Sequence, residues 1–318
     1  MAIAFLVGRD EKGQKGFDWF SQSFNQALLA LDPNLDIRSW PDVGNLEDIT
    51  CAIVWQHPLG VLKKFPNLKC IIAASAGVDH VFVDPDLPKN VPIVRVIDPF
   101  MANDIVQYVV VSVLNYVKRI TYYLKHQSER MWLKKPPFTF SDKTIGIMGL
   151  GFLGEKTAKM LRSLNLNVIG WSNSRKNIDG VKSFVGPDEF DDFLSQTGIL
   201  ICMLPLTAKT ENILNKKTFS KLQKEAYLIN LARGQHLVEE DLLAALGTGQ
   251  LSGACLDVFR EEPLPSDHPF WMHPKIQITP HIASVTNPET AAPQILDNYH
   301  RALKGAELLN VVDVSKGY

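Results

Sequence analysis

The chain has 318 residues and a formal net charge of −1 at pH 7, with 46% hydrophobic and 21% charged residues. This length predicts two domains, each able to bury its own core. The composition is that of a globular protein rather than a disordered or fibrous one. Because the net charge is close to zero, no summed positive field is available to bind nucleic acid.

No segment predicts export or membrane insertion. The N-terminal stretch has no basic region ahead of its apolar run and is typical of a β-strand. The most apolar later stretch, residues 105–117, is too short to span a bilayer. The cysteines lie far apart without a Cys-x-x-Cys pair, which favours buried, reduced thiols: Cys51, Cys70, Cys202 and Cys255. We therefore expect a cytoplasmic protein with no membrane partner.

The first part of the chain predicts a small doubly wound domain. Short β-branched runs alternate with helical patterns, which is typical of βαβ units and a largely parallel sheet. A helix is expected at residues 17–31. Strands are expected at residues 3–8, 37–40, 52–56, 70–74 and 93–96. No glycine-rich phosphate loop occurs here, so a nucleotide is not expected in this part.

The second part predicts a larger sheet after a long helix. The helix is expected over residues 103–127, followed by an arm at 132–140 in which Pro136 and Pro137 prevent helix formation. Six strands are expected at residues 144–150, 168–171, 198–205, 226–231, 253–258 and 276–279, and a last helix at 288–305. Six strands with crossover helices are typical of a dinucleotide-binding sheet.

A Gly-x-Gly-x-x-Gly pattern lies between a buried strand and a helix of this second series. Gly149 and Gly151 allow a tight turn and the close approach of a pyrophosphate, and Gly154 allows the helix to pack on the strand. The helix N-terminus adds N–H groups and a positive dipole end. An isolated pattern of this kind is often only a tight turn, but its position among six strands predicts a dinucleotide site.

The next strand ends in Ser172-Asn173-Ser174-Arg175-Lys176. An NAD enzyme usually has an acidic residue here that binds the ribose 2′-hydroxyl. This segment instead offers Arg175 and Lys176, with the hydroxyls of Ser172 and Ser174, to a 2′-phosphate. Two charge-assisted hydrogen bonds of roughly 1.5–3 kcal/mol each would favour NADP by tens-fold to thousands-fold. The alternative is a solvated basic loop; we expect NADPH to be preferred over NADH.

Three segments that follow strands supply a cation, a carboxylate and an imidazole: Arg233, Glu262 and His281. Hydride delivery to a keto group leaves an alkoxide, so the site needs a proton donor, and a histidine serves both directions of the reaction. Glu262 would hold the imidazole in one tautomer and keep it charged, and Arg233 would bind a carboxylate and polarise the keto oxygen. Glu261 is the neighbour of Glu262 and could also be the carboxylate that pairs with the histidine. The position of Pro263 directly after Glu262 favours Glu262.

The other histidines predict no further site. His268 and His273 lie in a loop that contains Pro and Trp and are interpreted as turn residues. Trp40, Trp55 and His57 could line the small-domain side of a cleft, but aromatic residues at strand ends are more often core, so they are not assigned to the site. The spread of histidines and carboxylates shows no metal-ligand spacing. We therefore expect no metal.

Several motifs give the chain a resemblance to the D-isomer-specific 2-hydroxyacid dehydrogenase family over essentially its whole length. They are Ser75-Ala76-Gly77-Val78-Asp79, Gly149-Leu-Gly151-Phe-Leu-Gly154, Met203-Leu-Pro205-Leu-Thr207, Asn230-Leu-Ala-Arg233-Gly, Asp257-Val-Phe with Glu262-Pro, and Thr279-Pro-His281. Within the family, residues 171–176, 257–265 and 316–318 are most similar to the branch of reductases that act on glyoxylate and hydroxypyruvate.

The resemblance implies a reaction and a set of site residues. The reaction is NADPH-dependent reduction of glyoxylate and hydroxypyruvate to glycolate and D-glycerate, the (R)-2-hydroxy acid series, with His281 as general acid beside Arg233 and Glu262. The substrate carboxylate would bind to the backbone N–H groups of Ala76, Gly77 and Val78 and to Arg233. The implied cofactor-binding residues are Gly149, Gly151, Phe152, Leu153, Gly154, Ser172, Ser174, Arg175, Lys176, Leu204, Pro205, Ala232, Asp257 and His281.

The resemblance also implies the architecture. The expected fold class is α/β with two doubly wound parallel sheets: a Rossmann dinucleotide-binding domain, residues 100–284, inserted into a smaller flavodoxin-like substrate domain built from residues 1–99 and 285–318. The helix from Asn103 and the arm beyond it resemble the family's dimer-forming region. A homodimer is therefore expected.

Two rival functions remain open. A relative of formate dehydrogenase would share the fold, but that chemistry pairs the histidine with Gln, and Glu262 argues against it. A nucleotide-sensing scaffold resembling the family's corepressors can retain the same three residues. Tight NADPH binding with negligible turnover would identify it.

Overall fold

The computed structural model describes residues 1–8, 18–136 and 143–314. The end of the predicted arm and residues 316–318 lie outside these ranges. The chain divides into two compact units, Met1–Met101 with Thr286–Tyr318 and Ala102–Val285, which we call unit 1 and unit 2.

Unit 1 contains a five-stranded parallel sheet in the order β2-β1-β3-β4-β5. Its strands are β1 (Ala2–Val7), β2 (Ile37–Ser39), β3 (Ile49–Trp55), β4 (Cys70–Ala73) and β5 (Ile93–Arg95). Its helices are α1 (Asp18–Leu31), α2 (Asp79–Phe82) and, at the end of the chain, α9 (Pro288–Lys304). This strand order is the flavodoxin-like one, as the sequence predicts.

Local signals explain the bounds of α9. The Asn287 side chain caps it by accepting a hydrogen bond from the Glu289 amide, and proline occupies the first turn. Gly305 ends it with a φ of 65°, a left-handed conformation that suits glycine. The helix buries Ile295 and Tyr299 in the same cluster as Phe24 of α1, so the last segment of the chain completes the core of unit 1.

Unit 2 contains a seven-stranded parallel sheet in the order β12-β11-β10-β9-β6-β7-β8. Its strands are β6 (Ile145–Met148), β7 (Val168–Ser172), β8 (Lys182–Val185), β9 (Ile199–Cys202), β10 (Ala226–Asn230), β11 (Leu251–Leu256) and β12 (Ile276–Ile278). The order reverses at β6, as in Rossmann domains. The predicted α/β class with two doubly wound sheets is confirmed.

Two differences from the predicted elements have local causes. The sequence predicts six strands here, but β8 forms a seventh at the edge of the sheet, where only Phe184 is fully buried and the strand pattern is weak. The single helix predicted over residues 103–127 is two helices, α3 (Pro99–Val117) and α4 (Ile120–Ser128). Arg119, with a φ of 58°, separates them.

The central strands β6, β7, β9 and β10 of unit 2 are buried on both faces, which explains their continuous apolar runs. Met148 packs in one cluster with Phe193, whereas its neighbour Ile147 packs in the other with Val109 of α3. The remaining helices of the unit are α5 (Phe152–Ser163), α6 (Phe190–Ser195), α7 (Lys216–Lys221) and α8 (Glu239–Gly247). In open parallel sheets of this kind, ligands bind outside the carboxyl ends of the strands.

Helix α3 is longer than the apolar stretch that the sequence singled out. Its window Phe100–Val117 has 18 residues and a mean hydropathy of 1.3, which is enough in length and composition to cross a membrane. The core helix of a soluble protein meets the same criteria. Val109, Val113 and Val117 of this helix are buried in the core of unit 2, and 39% of the window as a whole is buried.

All four cysteines are free and buried, as the sequence predicts: Cys51, Cys70, Cys202 and Cys255. Burial raises the pKa of the Cys202 thiol to about 12. Burial likewise raises the pKa of Cys51 well above its usual value, with the neighbouring Cys70 adding to the effect. The thiolate is the reactive form, so the raised pKa lowers the reactivity of Cys51 and Cys202.

Candidate active site

The glycine pattern forms the turn between β6 and α5. Gly149 has a φ of 103°, which favours glycine. A Cβ on Gly154 would lie 1.9 Å from the carbonyl oxygen of Gly149, so only glycine allows the first turn of α5 to pack on the end of the strand. Gly151 caps the helix, and Phe152 and Leu153 begin it, so their N–H groups lie at its positive end. The turn has the form that binds a pyrophosphate.

The basic segment after β7 is held by its own hydrogen bonds. The Ser172 hydroxyl donates to the Ser174 carbonyl oxygen at 2.8 Å, and the Lys176 amide donates to the Ser183 hydroxyl at 3.0 Å. Arg175 pairs with the carboxylate of Glu189. The Val185 amide and Arg175 together lower the pKa of Glu189, so this carboxylate stays charged and competes with any phosphate for the guanidinium.

Asn230, at the end of β10, folds the turn that carries Arg233. Its fully buried amide donates to the Arg233 carbonyl oxygen at 3.0 Å and accepts from the Ala232 amide at 3.2 Å. Buried His236 lies 3.1 Å from the same carbonyl oxygen and 3.3 Å from that of Pro205, which follows Leu204. These contacts join two segments that the sequence assigned separately to the cofactor. Asn230 and His236 were not predicted to take part.

His281 and Glu262 form a hydrogen-bonded pair. Nδ1 of His281 lies 2.8 Å from Oε2 of Glu262, and the other carboxylate oxygen accepts from the Phe259 amide at 2.9 Å. Since the carboxylate only accepts, Nδ1 carries a hydrogen and the ring orientation is fixed. The carboxylate that contacts the ring is that of Glu262 rather than Glu261, as the Pro263 register predicts.

The charges around Glu262 keep it ionised. Burial alone would raise its pKa, but the hydrogen bond and positive charge of His281, the Phe259 amide and the charge of Arg233 outweigh it, so the pKa lies below its ordinary value. Arg233, Glu262 and His281 all belong to unit 2. The cation, carboxylate and imidazole that the sequence selected are therefore electrostatically coupled in one unit.

Asp257 fixes the loop that carries His281. Its fully buried carboxylate accepts from the Thr279 hydroxyl at 2.6 Å, from the Ile282 amide at 2.9 Å and from the Ala283 amide at 2.8 Å. His281 has a φ of 55°, a left-handed conformation that costs a non-glycine residue roughly 1–3 kcal/mol and needs support from its surroundings. The sequence assigned Asp257 to the cofactor, and these contacts give it a structural role that spacing alone did not reveal.

In unit 1, the turn after β4 is held by a buried histidine. The Gln56 amide donates to Nδ1 of His80 at 3.2 Å, so the ring hydrogen is on Nε2, which lies 3.1 Å from Oγ of Ser75. That hydroxyl donates to the Gly77 carbonyl oxygen at 2.7 Å. The turn thereby has a fixed shape, and it contains the predicted carboxylate-binding amides of Ala76, Gly77 and Val78.

No three His, Cys, Asp or Glu side chains within residues 1–8, 18–136 and 143–314 are grouped so as to hold a metal ion. Nε2 of His268 lies 3.3 Å from a carboxylate oxygen of Glu239. Nδ1 of His273 accepts a hydrogen bond from the Lys275 amide, two residues further along the same loop.

The family model for the D-isomer specific 2-hydroxyacid dehydrogenase NAD binding domain matches residues 110–283. The chain belongs to the D-isomer specific 2-hydroxyacid dehydrogenase family. It is 44% identical to the glyoxylate/hydroxypyruvate reductase A of Yersinia enterocolitica serotype O:8 over 292 residues, which cover 90% of this chain and 93% of the relative. The similarity to this branch that the sequence indicates is confirmed, and the chain is an oxidoreductase of the dehydrogenase family.

Solved structures agree with this assignment. A family member from Xanthobacter autotrophicus Py2, in complex with NADPH and MES, matches with a TM-score of 0.88 at 37% identity, covering 100% of this chain and 99% of that one. An NADPH-dependent glyoxylate/hydroxypyruvate reductase from Sinorhizobium meliloti, in complex with NADP and sulfate, matches with a TM-score of 0.89 at 30% identity and the same coverage.

Proposed function

We propose that this dehydrogenase reduces glyoxylate and hydroxypyruvate with NADPH, giving glycolate and D-glycerate. The observation that carries the proposal is the His281–Glu262 pair, in which Nδ1 is occupied by the carboxylate at 2.8 Å. Nε2 is then the nitrogen that delivers a proton to the keto oxygen as hydride reaches C2. The Glu262 carboxylate holds the ring in one tautomer and one orientation for this transfer.

The cofactor is NADP, bound at the turn between β6 and α5. The segment Ser172–Lys176 offers two cations and no carboxylate of its own, and relatives of this chain bind NADPH or NADP in their solved structures. When bound, the reduced nicotinamide supplies the hydride. Leu204, Pro205, Ala232 and Asp257 are the further residues that we assign to the cofactor, in addition to the glycine turn.

The substrate is bound through its carboxylate. The guanidinium of Arg233 can bind it bidentately and stabilise the charge that develops on the keto oxygen. In unit 1, the amides of Ala76, Gly77 and Val78 are the second group of donors that we assign to the carboxylate.

The initial rate of NADPH oxidation by purified protein tests the function, with a panel of 2-keto acids led by glyoxylate and hydroxypyruvate and a parallel series with NADH. We expect turnover with both acids and faster rates with NADPH. Chiral analysis of the glycerate should give the D-isomer. Tight NADPH binding without turnover of any acid would contradict the reductase and favour a nucleotide-sensing scaffold.

The protein is a homodimer in this proposal and acts in the cytoplasm. Exposed apolar side chains continue from α3 through α4 into the arm: Val111, Ile120, Leu124, Met131, Trp132 and Leu133. Trp132 is 91% exposed, which is unusual for so large an apolar side chain unless a partner covers it. Sedimentation equilibrium should give twice the chain mass, and Trp132→Lys should shift it toward the monomer.

A further inference from the structure

A chain of hydrogen bonds leads from helix α3 to the loop of His281. The Tyr108 hydroxyl lies 2.6 Å from Oγ1 of Thr279, and that hydroxyl donates to Oδ1 of Asp257 at 2.6 Å. Asp257 accepts in turn from the amides of Ile282 and Ala283. All of these residues belong to unit 2.

The direction of each hydrogen bond follows from the donors available. An ionised Asp257 can only accept, so the Thr279 hydroxyl uses its single hydrogen toward that carboxylate. The remaining lone pairs of Thr279 then accept from the Tyr108 hydroxyl. The other neighbour of Tyr108 is Sγ of Cys255 at 3.4 Å, a weak acceptor, so the hydrogen of Tyr108 points to Thr279.

Because Asp257 is buried, its charged form depends on these hydrogen bonds. Burial raises the pKa of its carboxyl group, whereas Thr279 and the two amides act to lower it. Loss of the Thr279 hydroxyl would remove one of three donors and favour the uncharged carboxyl, which binds the two amides less strongly. Burial also raises the pKa of Tyr108, so this hydroxyl keeps its hydrogen and remains a donor.

We propose that Tyr108 and Thr279 are positioning residues for proton transfer. Their hydroxyls hold the Asp257 carboxylate, which holds the backbone on the C-terminal side of His281 and thereby aims the imidazole. This inference rests on the proposed role of His281 as the acid. The ring is then oriented from two sides, since Glu262 fixes Nδ1 and Asp257 fixes the main chain.

The kinetic test compares Thr279→Val with Thr279→Ser in the full chain. Valine keeps the shape but removes the hydroxyl, so we expect kcat with NADPH and glyoxylate to fall about tenfold while KM for glyoxylate changes by less than about threefold. Serine restores the hydroxyl and should restore most of kcat. Equal loss in both variants would show that the methyl group matters rather than the hydroxyl, and would overturn the proposal.

A double-mutant cycle tests whether Tyr108 acts through Thr279. Tyr108→Phe should lower kcat about threefold in the wild-type background and have no further effect in Thr279→Val, because the acceptor is already gone. The matched control is Tyr116→Phe on the same helix, whose hydroxyl contacts Ser252 at 2.9 Å; it should leave kcat unchanged. Independent, additive losses from Tyr108→Phe and Thr279→Val would overturn the proposal.

A spectroscopic readout separates this inference from the proposed reaction. In protein with ¹⁵N-labelled histidine, the ring signals of His281, assigned by their loss in His281→Gln, should shift in Thr279→Val and Tyr108→Phe but not in Thr279→Ser or Tyr116→Phe. Unchanged ring signals in the first two variants would contradict the positioning role. Absence of keto-acid reduction by the wild type, with the shifts present, would contradict the proposed function alone.

Discussion

Two histidine–carboxylate pairs in this protein have nearly the same separation between nitrogen and oxygen but different surroundings. In unit 2, His281 lies 2.8 Å from Glu262, and the two side chains are 29% and 25% exposed. In unit 1, His57 lies 3.0 Å from Asp84, and both side chains are fully buried. The distance between the groups therefore does not distinguish the two pairs; access to the ring does, because a general acid has to reach its substrate.

The buried pair has a structural function. Both oxygens of Asp84 accept from the Gly60 amide at 3.0 Å, and one also accepts from the Asp86 amide at 3.0 Å. Asp84 thereby ties the segment after β3 to the segment after α2. The sequence interpretation of His57 as a core residue agrees with this burial.

Replacing the two histidines should separate their roles most strongly. His281→Ala removes the proposed proton donor and should lower kcat by about 10²–10⁴-fold while changing the NADPH dissociation constant by less than about threefold. His57→Ala should leave the kcat of the folded fraction nearly unchanged and lower the melting temperature. Near-normal turnover in His281→Ala would disprove the acid assignment.

Replacing the carboxylates of the two pairs, Glu262 and Asp84, should again affect turnover in one case and stability in the other, with smaller effects than the histidine replacements. Glu262→Gln keeps the size of the side chain but removes the charge beside the imidazole, and we expect kcat to fall about 10–100-fold. Asp84→Asn should lower the free energy of unfolding by about 1–3 kcal/mol because it weakens buried hydrogen bonds. Urea titration and steady-state rates measure the two effects. A large loss of kcat in folded Asp84→Asn would remove the distinction between the pairs.

The exposed ion pair of Arg175 with Glu189 should affect the choice between NADPH and NADH rather than the turnover rate. Arg175→Asp places a carboxylate where the 2′-phosphate is proposed to bind, and we expect the ratio of kcat/KM for NADPH over NADH to fall at least about tenfold. Glu189→Gln removes the competitor for Arg175 and should tighten NADPH binding with little change for NADH. An unchanged cofactor ratio in Arg175→Asp would rule out the phosphate role.

The smallest expected effect is the contribution of Glu262 to the free energy of unfolding at acid pH. The pKa of Glu262 is lowered in the folded protein from its ordinary value of 4.5, so its contribution to stability is fully present above that pH and is lost as pH falls through the lowered pKa. The difference in unfolding free energy between wild type and Glu262→Gln should therefore shrink as the pH falls below about 4.5. A difference that does not shrink below that pH would contradict a lowered pKa.

Local features of the fold could be predicted from the sequence because they depend on near neighbours. The turn at Gly149–Gly154 is specified by spacing and by the strand and helix beside it. The break between α3 and α4 was missed because Arg119 adopts its left-handed conformation without a glycine or proline to signal it. The edge strand β8 was missed because its burial is irregular.

The geometry of the candidate site was only partly accessible to sequence reasoning. Chemistry selected Arg233, Glu262 and His281 because hydride transfer needs those groups. Tyr108 could not be selected, since it is 171 positions away from Thr279 and only the folded chain brings them together. Its assignment depends on tertiary contacts rather than on any motif.

The buried cysteines make this protein convenient for site-directed labelling. Maleimides react with thiolates, and every native thiol in the folded chain is enclosed, with its pKa held above the ordinary value in Cys51, Cys202 and Cys255. A single exposed substitution such as Lys209→Cys would then take up a fluorophore or spin label selectively without removal of the native cysteines. Distance measurements between labels on unit 1 and unit 2 thus become possible in the otherwise unmodified chain.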